Sequence, residues 1–82
     1  MAQNNYTLSA AWLPVATGAG NATFEFEDHP GEWTVLSSVS PAEIVGGVRA
    51  ESGKREAVTL AAGQYLHLRG RGVAYVIADT LV

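Results

Sequence analysis

Cysteine is absent from this chain, so the groups that could do chemistry are serine hydroxyls, two histidines, carboxylates and arginines. Ser9, Ser37, Ser38, Ser40 and Ser52 fall in turn-like segments. None sits in a Gly-x-Ser-x-Gly elbow that would present a nucleophile to a base. His29 and His67 could join Glu27 and Asp28 around a metal, but no three- or four-ligand spacing links them. His29 belongs to Asp28-His29-Pro30-Gly31, whose neighbours are turn formers, and His67 belongs to a strand face. Glu25 and Glu27 share one strand face about 7 Å apart by strand rise. A glycosidase carboxylate pair has a similar separation, yet so short a chain has little material for a sugar-sized cleft. A solvated strand face accounts for the pair. The expectation is a non-enzymatic chain with no catalytic residue, no metal site and no cofactor.

The remaining candidates are binding groups. Arg69-Gly70-Arg71-Gly72 could form a phosphate nest or a nucleic-acid element. It occurs once, in an acidic chain, and its glycines are explained as turn residues. The more economical reading presents Arg69 and Arg71 to carboxylates of a neighbouring subunit. Trp12, Trp33, Tyr65 and Tyr75 could build a carbohydrate-stacking platform with Glu25 or Glu27. Trp33 and Tyr75 fall where core residues are wanted, which leaves Trp12 and Tyr65 as surface contacts.

The elements that must position these groups are short strands. Ala22 to Glu27 alternates, with Ala22, Phe24 and Phe26 on one side and Thr23, Glu25 and Glu27 on the other. Tyr6-Thr7-Leu8, Trp12 to Val15, Glu32 to Ser38, Val48 to Ala50 and Arg55 to Leu60 are further extended segments. Ser40, Pro41 and Glu43 could open one helical turn, which Gly46-Gly47 would end. From Gln64 to Ile77 the pattern predicts a C-terminal β-hairpin. With Gly70-Arg71 as a type II′ loop, Leu68 pairs with Val73, Leu66 with Tyr75 and Gln64 with Ile77. A three-residue loop Arg69–Arg71 would instead pair Leu68 with Gly72. In the first register one face carries Leu66, Leu68, Val73, Tyr75 and Ile77. The other carries Tyr65, His67, Ala74 and Val76, too apolar to be left in water. Something must cover it.

Short strands at regular turn spacing and no long helical period predict an all-β fold, a small antiparallel β-sandwich or barrel-like domain. Residues 1–82 read as one domain, with 1–5 as a flexible arm and a core around Trp12, Trp33, Phe24 and Phe26. The start has no basic region or long apolar run, so a soluble chain not exported by that route is expected. The net charge of −3 argues against general nucleic-acid or anionic-membrane binding. Residues 1–43 hold five carboxylates and no Lys or Arg, while all five basic side chains follow. That split suits either contact between subunits or pairing within one. Thr80-Leu81-Val82 forms an apolar tail.

Gly20-Asn21-Ala22-Thr23-Phe24-Glu25-Phe26-Glu27, with His29-Pro30 and Glu32-Trp33, resembles small β-rich virion proteins of tailed bacteriophages. The resemblance continues in Gly47-Val48-Arg49, Ser52-Gly53 and Leu60-Ala61-Ala62-Gly63-Gln64-Tyr65-Leu66-His67-Leu68-Arg69-Gly70. It runs in patches over roughly residues 18–79. Such proteins serve as capsid decoration, head-fibre or spike modules. The resemblance implies a structural role on the capsid exterior, a homo-oligomer (often a trimer in decoration proteins), and contact with the major capsid protein or another virion protein. The expected partner-binding residues are Trp12, Tyr65, His67, Arg69, Arg71, Leu81 and Val82. A carbohydrate- or host-surface-binding β-module is the alternative.

Overall fold

The structure is a computed structural model describing residues 1–39 and 46–82. The possible helical turn over Ser40, Pro41 and Glu43 lies outside the described residues. Eight strands follow one another: β1 (Ala2–Thr7), β2 (Leu13–Thr17), β3 (Gly20–Phe26), β4 (Gly31–Leu36), β5 (Val48–Ala50), β6 (Arg55–Leu60), β7 (Tyr65–Gly70) and β8 (Val73–Ala78). They form two antiparallel four-stranded sheets, ordered β1-β8-β3-β6 and β2-β7-β4-β5. Every link except β4–β5 crosses from one sheet to the other, which is the strand order of a jelly roll. The expected all-β sandwich is the observed fold.

Period-2 alternation places the core between the sheets. Ala22, Phe24 and Phe26 of β3 and Ala74, Val76 and Ala78 of β8 point inward from one side. Leu66 and Leu68 of β7, with Val15 and Ala16 of β2, meet them from the other. Phe24 packs edge-on against both Phe26 and Trp33, with ring centroids 5.9 and 5.8 Å apart. Aromatic pairs prefer such tilted contacts, where a positive ring edge meets a negative face. Trp33 thus joins the core. Trp12 does not, because it lies beside Arg69 on the outer face of its sheet.

β7 and β8 exist at the expected positions but do not pair as a hairpin. β7 pairs with β2 and β4, and β8 with β1 and β3. Gly70 and Gly72, at φ +152° and +74°, turn the chain across the gap between the sheets. A two-residue link can serve either purpose, so the choice falls to the neighbours waiting in each sheet. The faces change accordingly. Ala74, Val76 and Ala78 of β8 are buried, while Val73, Tyr75 and Ile77 face outward and half-buried.

Both chain ends are tied into the sandwich. Instead of a free arm, residues 2–5 belong to β1, which pairs with β8 from Ala2↔Ala78 to Thr7↔Val73. The Tyr6 hydroxyl also donates to the Val15 carbonyl, spanning the two sheets at 3.3 Å. At the other end Leu81 bridges Ala16, and the Val82 N–H donates to the Val15 carbonyl. The apolar tail therefore runs along β2, with Leu81 packed on the core and Val82 54% exposed.

Candidate functional site

Four links between the sheets gather at one end of the sandwich: 8–12, 27–30, 51–54 and 71–72. The link after β1 laces onto the link after β7. Leu8 N–H donates to the Gly72 carbonyl at 2.8 Å, and Gly70 N–H to the Ser9 carbonyl at 2.9 Å. Against this lacing, on the outer side of the β2-β7-β4-β5 sheet, opens a cleft of about 700 Å³. Its base is the Gly31 and Gly70 backbone, and its walls include Leu8, Pro30, Glu32, Arg49, Arg69 and Arg71.

Register explains why the charges converge. Glu32 on β4 lies between Arg69 on β7 and Arg49 on β5, each directly opposite it in the ladder. Arg69 Nε donates to Glu32 Oε1 at 2.7 Å. The Arg69 guanidinium carbon also lies 4.2 Å from the Trp12 ring centroid. Trp12 is held close by Gly47, where a Cβ would come within 2.5 Å of the Trp12 ring. Arg69 is thus fixed between an aromatic face and a carboxylate, a wall of the cleft rather than a free hand. Arg49 and Arg71 are exposed, and no carboxylate of the described residues lies within ion-pair distance of either. The cleft therefore carries surplus positive charge in a chain of net charge −3.

Farther along β7, His67 is fully buried. Its Nδ1 lies 3.1 Å from the Tyr65 carbonyl and its Nε2 3.2 Å from the Val39 carbonyl. The face expected to carry Tyr65, His67, Ala74 and Val76 is divided between the sheets: Ala74 and Val76 point into the core, and on the outer side of β7 the Val39 carbonyl meets His67. His67 offers no surface to another molecule, which corrects its expected role as a partner contact. Tyr65 is half-buried at the far end of the same face, opposite Leu36 and Thr17. The aromatic and acidic groups considered for a glycan platform are divided. Trp12 and Tyr65 flank the outer face of one sheet, while Glu25 lies on the outer face of the other, facing Arg55 at 3.8 Å.

Of the expected contact residues, Arg69 and Arg71 line the cleft, and Trp12 packs against Arg69. Leu81 and Val82 belong instead to the strap along β2. Sequence reasoning missed Glu32 and Arg49, which β4 and β5 bring from far along the chain. The charge split is resolved in part within the molecule, by Glu32–Arg69 and Glu25–Arg55. Among the described residues, no group of three or more His, Asp or Glu side chains could hold a metal. No protein-family model, curated protein or solved structure matches this chain.

Proposed function

We propose that this chain is a non-enzymatic structural subunit of a tailed-phage virion, a capsid-decorating or head-stabilising protein. It attaches to an acidic surface of the shell through the Arg49–Arg69–Arg71 cleft. The observation that carries the attachment is the pair of exposed arginines, Arg49 and Arg71, beside a third that is already neutralised. Guanidinium groups bind carboxylates in forked, directional pairs, so a rigid cleft edged by two of them suits an acidic protein segment. The virion assignment is supported by the patches of sequence from Gly20 to Gly70 that resemble phage virion proteins. Jelly rolls serve viral capsids, lectins and cupins alike, so the topology is compatible with this role without selecting it. Single contacts of this size are weak, and repetition over a lattice multiplies them.

Quantitative mass spectrometry of purified particles from the producing culture tests the assignment. The expected result is this chain in fixed proportion to the major shell protein. Its absence from particles, with the chain recovered free, would remove the virion reading.

A further inference from the structure

The two sheets have four edge strands, β1 and β6 in one, β2 and β5 in the other. An open edge is a template for another strand, and proteins blunt it with charge, proline, bulges, shortness or cover. Three of these edges are blunted. β5 is three residues long with Arg49 at its centre. β2 contains Pro14, shifts register between Pro14 and Ala16, and is covered by the Leu81–Val82 strap. β6 opens with Arg55 and Glu56, which pair with Glu25 and Lys54. β1 has none of these devices. It is six residues, Ala-Gln-Asn-Asn-Tyr-Thr, without charge or proline.

The unpaired groups of β1 can be named. Leu8 N–H donates to the Gly72 carbonyl, and bonded residues alternate along an antiparallel ladder. Ala2, Asn4 and Tyr6 therefore bond β8, and Gln3, Asn5 and Thr7 turn their N–H and C=O groups outward. In agreement, the Asn5 N–H takes a local acceptor, Asn4 Oδ1, at 2.9 Å.

We propose that β1 pairs antiparallel with β1 of a second copy of this chain, extending the β1-β8-β3-β6 sheet across a two-fold axis. An antiparallel edge is its own complement, since the two-fold operation sets each donor against an acceptor. Registers that keep Gln3, Asn5 and Thr7 bonded place the axis at Asn4 or at Asn5. The choice of a second copy rests on charge. No charged side chain occurs before Glu25, so two chains of net charge −3 meet where like-charge repulsion is least. Gln3, Asn5 and Thr7 line the seam on the outer face, all neutral and able to hydrogen-bond across it. This contact deepens the assembly reading and rests on it only for its purpose. It is measured on the isolated chain, so its failure leaves particle attachment standing, and the reverse also holds.

The test is light scattering coupled to size exclusion over a wide concentration range, on the native chain and on Asn5→Pro. The Asn5 N–H is not part of the β8 ladder, so proline removes an outward donor and spares the fold. The native chain is expected to approach the mass of two 8.6 kDa copies. Asn5→Pro should dimerise at least about tenfold more weakly. Hydrogen exchange on the native chain gives a second readout that needs no variant. The Gln3 and Thr7 amides should gain protection as concentration rises. A native chain that stays monomeric or forms trimers would overturn the proposal. So would an Asn5→Pro chain that dimerises as tightly as the native one, or Gln3 and Thr7 amides whose exchange ignores concentration.

Discussion

Arg69 and Glu32 stand directly opposite each other on β7 and β4, joined by a 2.7 Å bond from Nε to Oε1. Trp12 lies over the guanidinium, so one arginine is held by a carboxylate and an aromatic face together. The pair is partly screened, with side chains 23% and 39% exposed, which puts its worth above a bare surface ion pair but not far above. A double-mutant cycle of Arg69→Ala and Glu32→Ala should give a coupling of about 1 kcal/mol in urea unfolding. The Arg69–Trp12 cycle should add about 0.5–1 kcal/mol. Additive losses in both cycles would mean the contacts hold nothing together.

His67 predicts a larger effect. It is fully buried, and its ring nitrogens face the carbonyls of Tyr65 and Val39. His67→Ala leaves a cavity and deprives one of these carbonyls of the ring N–H it accepts from, at a cost of about 2 kcal/mol or more. Unfolding midpoints measure it. A loss under about 0.5 kcal/mol, the range of surface substitutions, would contradict the enclosed position.

Gly47→Ala should dislodge Trp12. The added methyl would sit 2.5 Å from the Trp12 ring and 2.9 Å from the Trp33 carbonyl, closer than packing allows. The expected signs are a red-shifted tryptophan emission and about 1–3 kcal/mol of lost stability from overpacking. Removing Trp12 in the same chain relieves only part of the strain, because the Trp33 carbonyl remains. Unchanged emission and stability would refute the close approach.

The C-terminal strap carries a prediction of its own. Leu81 packs on the core and bridges Ala16 along an otherwise open edge. Leu81→Ser should cost about 1–2 kcal/mol by loss of apolar burial. It should also favour aggregation through the bared β2 edge. Val82→Ser, at an exposed position, should be close to neutral. Equal effects at both positions would argue against the strap.

Much of the fold is legible along the chain because alternation is local. The bounds of β5 and β6 coincide with the segments Val48 to Ala50 and Arg55 to Leu60, and β3 follows from Ala22, Phe24 and Phe26. Pairing is not local. Two alternating strands joined by Gly70-Arg71-Gly72 describe a hairpin and a crossing between sheets equally well, and only the other six strands decide. The half-apolar pattern has its cause in that pairing: Ala74 and Val76 face the core from β8, while His67, on the outer side of a β7 with neighbours on both edges, meets the Val39 carbonyl. At the cleft, Arg69 and Arg71 are two positions apart in sequence and could be found. Glu32 and Arg49 are far from them, and only the β5-β4-β7 register unites them.

Binding of the isolated chain to particles assembled without it tests the cleft most directly, comparing the native protein with Arg49→Gln/Arg71→Gln, which removes both charges without setting a carboxylate opposite Glu32. Neither arginine pairs with a carboxylate of the described residues, so the double variant should fold and melt like the native chain. The expected result is a loss of affinity of at least about tenfold, with native binding weakening as salt rises. A double variant that decorates particles as well as the native chain does would contradict attachment through this cleft.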